Sequence, residues 1–175
     1  DPDLQQTLAR ERPWVRLPAR ADPSPSGRPR RSLVFATFSA EEQGLFGSRV
    51  LARELGGRLA WMLNLDMIGR NPDRPAQVLT EEPTAELRRI VERASAGRPL
   101  ASLSSGRGEQ ASDHASFYRL GVPYLFFFTG LHPDYHGADD EAERLSYPRL
   151  AEVVGLAWRV ASMLADEPTP RSPSP

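Results

Sequence analysis

The sequence predicts an α/β fold, a three-layer arrangement in which a mostly parallel sheet lies between helices. Short apolar runs rich in strand-forming residues alternate along the chain with amphipathic helical patterns. One of these runs, YLFFF, is continuously apolar, which is typical of a strand buried on both faces. A length of 175 residues, 39% of them hydrophobic, is sufficient for the core of one domain.

The individual elements follow from local patterns. Thr84 can cap a helix over 84–96, because apolar residues recur there with the three-and-four spacing of one buried face. A helix over 47–55 ends at two glycines, which suit a C-terminal cap. The strands are predicted at 33–38, 60–66 and 123–129, and the remaining helices at 113–120 and after the cap residue Ser146. The apolar stripe of that last helix comprises Leu150, Val153, Val154, Ala157, Val160, Ala161 and Leu164.

The predicted domain covers residues 32–165. Before it lies an N-terminal remnant over 1–31, whose second half is rich in Pro, Arg and Ser and is typical of a flexible connector. After it, residues 166–175 carry four prolines and few apolar side chains, which predicts a disordered tail.

Composition excludes several classes of protein. The net charge is −1 and all 22 basic residues are arginines scattered along the chain, so nothing indicates a nucleic-acid partner. Cysteine is absent, which excludes disulfides and thiolate metal sites and leaves His and carboxylates as metal ligands. No apolar stretch approaches the roughly 18 residues that a membrane-spanning helix needs.

The most informative segment is SLVFATFSAEEQGLFGS, in which an apolar run ends in the adjacent acids Glu41 and Glu42. Open α/β sheets build their sites at such strand ends, and two neighbouring acids can divide the work of binding a cation and moving a proton. A capping box that begins at Ser39 is the alternative. Gly44 and Gly47 favour a turn instead, since each would cost a helix about 1 kcal/mol.

Asp66 ends a second apolar run, and an ordinary turn residue is the alternative there. Asn64 precedes it by two residues on the same strand face and could orient it. The segment Ser112-Asp113-His114 opens a helix, where a capping acid is as good an explanation as a site residue. A nucleophilic serine triad is disfavoured because the sequence has no G-x-S-x-G turn.

The segment GLHPDYHGADD follows the YLFFF strand and holds two His, one Tyr and three Asp in eleven residues. Its histidines are four residues apart, but the intervening proline and the following glycine argue against a helical metal-binding pair. We therefore expect at most one of them to bind metal. Asp139 or Asp140 could hydrogen-bond the far ring nitrogen of His136.

Four separated motifs, FSAEEQGLFGS, NLDMIGR, SDHASFYRLGVPYLFFFTG and LHPDYHGADD, together resemble the zinc-dependent exopeptidase family. This family includes bacterial leucyl aminopeptidases, glutamate carboxypeptidase II and the glutaminyl cyclases. The similarity covers about Ser32 to Leu164. The resemblance implies the family fold, a mixed and mainly parallel sheet between helices, which agrees with the α/β fold predicted above.

The resemblance implies a role for each matching residue. Glu41 corresponds to the general base that takes a proton from a metal-bound water, and Tyr135 to a tyrosine that steadies the oxyanion. Glu42 and His136 correspond to ligands of one zinc ion, and Asp66 corresponds to a ligand of a second. Two zinc ions are accordingly expected in the complete protein.

Two further acids, Asp113 and Asp140, correspond to supporting residues of the family site, whereas His114 and His132 match no ligand. The family also has an upstream His-x-Asp motif and a bridging Asp, and neither is present in this sequence. We therefore expect this chain to lack the N-terminal strands of the fold and part of the metal site.

The expected function is that of a zinc metallo-aminopeptidase, a hydrolase that cleaves a peptide substrate near its free N-terminus. An inactive homologue that serves as a binding scaffold, a glutaminyl-cyclase-like transferase and an isolated interaction module are the alternatives. Many family members are exported, so the resemblance makes an extracytoplasmic location one option.

Overall fold

The structure, a computed structural model, describes residues 30–95, 101–106 and 112–166. Its helices are α1 (Phe46–Leu55), α2 (Ala85–Ala94), α3 (His114–Tyr118) and α4 (Tyr147–Asp166). Its strands are β1 (Met62–Leu65), β2 (Ala76–Thr80), β3 (Ala101–Ser105) and β4 (Tyr124–Phe128). The predicted N-terminal remnant and C-terminal tail lie almost entirely outside the described residues.

The four strands form one mixed sheet in the order β1-β4-β2-β3. Strands β1 and β4 are parallel, with Met62 opposite Tyr124, and β2 and β3 are also parallel. The two pairs are joined by an antiparallel contact in which Val78 lies opposite Phe127. The predicted mixed, mainly parallel sheet is therefore confirmed.

Helices cover both faces of this sheet. On one face α2 and α4 pack over Leu125 and Phe127 of β4. On the other face α3 packs against β1 and β4, and α1 lies against α3. Successive side chains of a strand point to opposite faces, which is why Phe126 contacts His114 of α3 while its two neighbours enter the other layer. The three-layer prediction is confirmed.

The best-predicted helix is α2. The Thr84 hydroxyl accepts a hydrogen bond from the backbone N–H of Leu87, as a cap residue should. The four residues of the predicted apolar face are buried, namely Leu87, Ile90, Val91 and Ala94. Ser146 likewise accepts a hydrogen bond from the N–H of Arg149 at the start of α4, at 3.4 Å.

Three details of the predicted elements are wrong. Residues 33–38 run without secondary structure, because no described strand lies beside them to complete a ladder. Strands β2 and β3 were not predicted, since they are short and half polar. In α4, Val154 is 46% exposed and Leu156 is fully buried in its place, so the buried stripe is rotated from the predicted one. Within the described residues, no helix combines the length and the apolar character needed to cross a bilayer.

Candidate active site

The predicted site residues lie on loops that the sheet brings to one edge. Strands β1 and β4 are parallel, so their carboxyl ends meet there, followed by Asp66 and by the loop 130–140 respectively. Asp113 precedes α3, which packs on the same two strands. The turn before α1 supplies Glu41 and Glu42.

These loops surround a single open cleft of about 2590 Å³. Every residue named above as a site candidate by resemblance lines it, namely Glu41, Glu42, Asp66, Asp113, Tyr135, His136 and Asp140. Its remaining wall includes apolar side chains such as Phe38, Leu63 and Phe128. The cleft thus combines convergent acids with an apolar surface, as ligand sites usually do.

The Glu41–Glu42 segment is a tight turn and not a capping box. Helix α1 begins only at Phe46, and the N–H groups of Gly44 and Leu45 both donate to the Glu41 carbonyl at 2.9 Å. Gly44 has a φ of +115°, which suits glycine. A Cβ on Gly47 would lie 2.8 Å from the backbone oxygen of Ser39, so close approach of the two backbones requires glycine there. The turn predicted from these glycines is confirmed.

Glu42 and His136 lie in direct contact across the cleft. Nε2 of His136 is 3.0 Å from Oε1 of Glu42, although both side chains are more than half exposed to solvent. The ring of Tyr135 stacks on that of His136 with 3.9 Å between centroids. These contacts hold the imidazole in place at the mouth of the cleft.

The backbone is strained beside three of the candidates. Ala40, Met67 and His136 have φ values of +57°, +53° and +58°, a region that residues other than glycine seldom occupy. They are the residue before Glu41, the residue after Asp66 and a predicted ligand itself. Strain of this kind persists where the surrounding structure enforces it, and it is concentrated at functional sites.

The acids of the cleft affect each other's ionisation. Burial raises the pKa of Glu41, and the charges of Glu42, Asp66 and Asp113 raise it further, whereas His136 lowers it. The pKa of Tyr135 is also raised, first by burial and then by the carboxylates of the same cluster. A group of acids that repel one another in this way is suited to binding a cation.

Asp66 is held by a residue that the sequence did not single out. The Ser112 hydroxyl donates to Oδ2 of Asp66 at 2.8 Å, and Nδ2 of Asn64 lies 2.8 Å from the same hydroxyl oxygen. Asn64 therefore orients Asp66 through Ser112 and not directly. The position of Ser112 in the SDHASF motif was the available signal, but its contact with Asp66 joins segments 46 residues apart.

Asp113 occupies the cap position of α3, yet its side chain makes no capping hydrogen bond. Burial raises the pKa of Asp113, a hydrogen bond from Ser48 of α1 opposes that rise, and the charge of Asp66 adds to it. Its Oδ1 is buried and has no hydrogen-bond partner among the described residues. The capping explanation of Asp113 is therefore wrong.

The loop that carries Tyr135 and His136 is fastened by Arg70, another residue that the sequence analysis did not identify. The Arg70 guanidinium donates to Asp134 and, at 2.7 Å, to Asp140. The pKa of Asp134 is lowered, chiefly by this hydrogen bond from Arg70. Asp140 thus supports the loop through Arg70, and its other oxygen lies 3.5 Å from Nε2 of His132. Neither contact of Asp140 involves His136, and within the described residues Asp139 makes no hydrogen bond to that histidine, so the prediction that one of these acids bonds the His136 ring is wrong.

The other two histidines lie away from the ligand positions. His114 is fully buried between the rings of Tyr124 and Phe126, with centroids 4.5 and 4.7 Å away, and it does not line the cleft. His132 is 9% exposed and faces Asp140. Of the three histidines of this chain, the structure thus brings His136 to the acids of the cleft.

The Glu42–His136 pair fits a zinc ion as two of its ligands. Two ligands of a tetrahedral zinc, each bound at about 2.0–2.1 Å, are about 3.3 Å apart, close to the 3.0 Å observed. Carboxylate and imidazole are also donors that zinc accepts. Across residues 30–95, 101–106 and 112–166, however, no group of three or more His, Asp or Glu side chains could hold an ion. The described residues therefore provide a pair of zinc donors, with Asp66 on the same cleft and not in contact with that pair.

Comparisons with known proteins identify the family and the relatives of this chain. The sequence profile of "Peptidase family M28" matches residues 18–161. Leupeptin-inactivating enzyme 1 of Streptomyces exfoliatus is 32% identical over 107 residues, which are 59% of this chain and 24% of that enzyme. The chain thus spans about a quarter of the length of this curated relative.

Solved structures that resemble this chain are also peptidases. An aminopeptidase from Aneurinibacillus sp. strain AM-1 is 29% identical with a TM-score of 0.57, over 70% of this chain and 31% of that one. BSAP, a zinc aminopeptidase from Bacillus subtilis, is 25% identical with a TM-score of 0.62, over 74% and 37% of the two chains. The predicted resemblance to zinc exopeptidases is confirmed, and BSAP, which is a zinc enzyme, indicates zinc as the metal. With a family match over most of its length, this chain belongs to peptidase family M28.

Proposed function

We propose that the protein is a zinc-dependent aminopeptidase that hydrolyses a peptide bond near the free N-terminus of its substrate. The observation that carries the proposal is the convergence of Glu41, Glu42, Asp66, Tyr135 and His136 on one cleft of an M28 chain. Metal-assisted hydrolysis requires three kinds of group: a general base, side chains that bind the metal, and a hydrogen-bond donor for the oxyanion.

Glu42 and His136 are assigned to one zinc ion, and Asp66 to a second. Each of these ions would need further ligands from outside the described residues, since a catalytic zinc usually has three protein ligands. When bound, zinc supplies a Lewis acid that polarises the scissile carbonyl and makes a nearby water more acidic.

Glu41 acts as the general base in this proposal. It takes a proton from the attacking water and later delivers one to the leaving amine. Its raised pKa makes its carboxylate a stronger base than that of an ordinary glutamate. The tight turn before α1 fixes its backbone, so the carboxylate is positioned before the substrate binds.

Tyr135 stabilises the oxyanion that forms when water attacks the carbonyl. Its raised pKa keeps the phenol protonated, which leaves the hydroxyl able to donate a hydrogen bond. Stacking against His136 holds the ring next to a metal ligand. Asp113 assists through its charge, which helps to raise the pKa of Glu41.

The proposal is tested with the protein as encoded by its gene, loaded with zinc. A peptide amide with a free N-terminus and its N-acetylated counterpart serve as substrates. We expect cleavage of the free peptide only, loss of activity with a chelator and recovery on adding zinc. Zinc binding without cleavage of either peptide would favour the scaffold alternative, and equal cleavage of both would contradict an aminopeptidase.

A further inference from the structure

A buried chain of hydrogen bonds runs from Asp66 into the sheet. Nδ2 of Asn64 is 2.8 Å from the Ser112 hydroxyl on one side and 3.2 Å from Nδ1 of His114 on the other. Ser112 in turn donates to Asp66 at 2.8 Å. Asn64, Ser112 and His114 are all at least 94% buried, so bulk water does not compete for these bonds.

The direction of every bond in this chain can be deduced. The Asp66 carboxylate only accepts, so the single hydroxyl proton of Ser112 is committed to it. The Ser112 oxygen must then accept from its other neighbour, which requires the amide nitrogen of Asn64, not its oxygen, on that side. The same amide nitrogen faces Nδ1 of His114, which therefore accepts as well. An imidazole whose Nδ1 accepts carries its proton on Nε2.

The ring of His114 is well placed to fix this direction. It packs against the rings of Tyr124 and Phe126, which lie on the same face of β4, and it does not line the cleft. Asn64 of β1 is paired with Phe126 of β4, so the Asn64 amide lies beside the ring that packs on β4. Reversing the amide would set its oxygen against the lone pair on Nδ1.

We propose that His114 and Asn64 are positioning residues for Asp66. His114, with its proton on Nε2, fixes the orientation of the Asn64 amide. That amide commits Ser112 to donating to Asp66, and the carboxylate is held in one plane for a zinc ion. The link to zinc rests on the proposed function, whereas the direction of the hydrogen bonds does not.

The first test measures the ring proton of His114 directly, in the metal-free protein as encoded by its gene. Long-range ¹H–¹⁵N correlation spectra of histidine-labelled protein distinguish a protonated from an unprotonated ring nitrogen. We expect an unprotonated Nδ1 and a protonated Nε2. A proton on Nδ1 would overturn the proposal, whether or not the protein binds zinc.

The second test separates positioning from packing with two variants. His114→Asn keeps an acceptor at the position of Nδ1 but loses the ring, and His114→Phe keeps the ring but loses the acceptor. Positioning predicts that zinc affinity falls about tenfold in His114→Phe and stays near the wild-type value in His114→Asn. A packing role predicts that stability and affinity both fall more in His114→Asn.

Zinc affinity is measured by competition with a chromogenic chelator, and folding by thermal melting of the same samples. Ser95→Ala is the control for a lost buried hydrogen bond. The Ser95 hydroxyl donates to the Val91 carbonyl in α2, and Ser95 does not line the cleft. This variant should alter melting without altering zinc affinity. Unchanged zinc affinity in a folded His114→Phe variant would overturn the positioning role. A wild-type protein that binds no zinc would instead refute the proposed function, and the ring-proton measurement would still decide the direction of the bonds.

Discussion

Glu42 and His136 are 94 residues apart in sequence, yet Nε2 of the histidine lies 3.0 Å from Oε1 of the glutamate. A side-chain contact as exposed as this one contributes at most about 1 kcal/mol to folding. Nevertheless His136 adopts a left-handed backbone conformation that costs free energy. Stability alone therefore does not explain this arrangement, which is the one that the proposed zinc site requires.

Replacing Glu41 by Gln should abolish most of the activity. The amide cannot take a proton from water, so kcat should fall by about 10²–10⁴ while KM changes little. Steady-state kinetics on the zinc-loaded protein provide the measurement. Glu82→Gln makes the same chemical change at an exposed acid outside the cleft and should leave kcat unaltered. Equal rates in the two variants would remove Glu41 from the mechanism.

The same variant should be more stable than the wild type near neutral pH. The pKa of Glu41 is raised above its ordinary 4.5 in the folded state, first by burial and then by neighbouring acids. Ionising this carboxyl therefore disfavours folding, and stability is lost as pH rises from 4.5 through the folded pKa. Glu41→Gln removes that loss. Melting curves of metal-free protein at pH 4 and pH 7 should show the variant gaining relative to wild type only at the higher pH.

Asp113→Asn should shift the ionisation of Glu41 downward. The charge of Asp113 is one of the causes that raise the Glu41 pKa, although burial is the largest and remains in the variant. NMR titration of the side-chain carboxyl of Glu41 in the metal-free variant should therefore give a pKa that is lower than in the wild type but still above the ordinary value of 4.5. If the Glu41 pKa did not change, the two acids would not share the cleft as described.

Gly47→Ala should disturb the turn that positions the two glutamates. The new Cβ would lie 2.8 and 2.9 Å from backbone atoms of Ser39, which cannot move aside as a flexible side chain could. We expect a loss of about 1–3 kcal/mol in the free energy of unfolding and weaker zinc binding. Gly57→Ala is the matched control, because its Cβ would meet no atom within 4 Å. Chemical denaturation and zinc titration of both variants would check this, and equal behaviour would contradict the close approach.

The Arg70–Asp134 contact predicts a specific acid sensitivity. The hydrogen bond from Arg70 lowers the pKa of Asp134 below its ordinary 3.8. The stability that this contact contributes is therefore complete above pH 3.8 and is lost as the pH falls through the lower folded value. The melting temperatures of wild type and Asp134→Asn should differ at pH 6 and converge in strong acid. A difference in melting temperature that grows on acidification would contradict a stabilising hydrogen bond between Arg70 and ionised Asp134.

Much of this fold could be predicted from local sequence. Thr84 and the apolar face of α2 identify that helix, and the apolar run of β4 identifies a central strand. Strands β2 and β3 were missed because AQVLT and ASLSS carry too few apolar residues to stand out, although Ala76, Val78 and Thr80 alternate as buried positions. The segment 33–38 has strand-like composition, but a strand also needs a neighbour, which composition does not reveal.

The site shows the same division between local and long-range information. Glu41, Glu42, Asp66 and His136 belong to recognisable motifs, and the parallel pairing of β1 with β4 explains why Asp66 and His136 lie at the same edge of the sheet. The contacts that hold them were not predictable, because Ser112 reaches Asp66 across 46 residues and Arg70 reaches Asp140 across 70. Spacing along the chain says nothing about such partners until the strands are placed.

The most direct measurement is the location of zinc itself, by anomalous X-ray diffraction at the zinc edge from crystals of the zinc-loaded protein. The proposed zinc site predicts an anomalous peak at about 2.0–2.2 Å from both Nε2 of His136 and a carboxylate oxygen of Glu42. A peak that lies elsewhere, or that contacts neither residue, would contradict it.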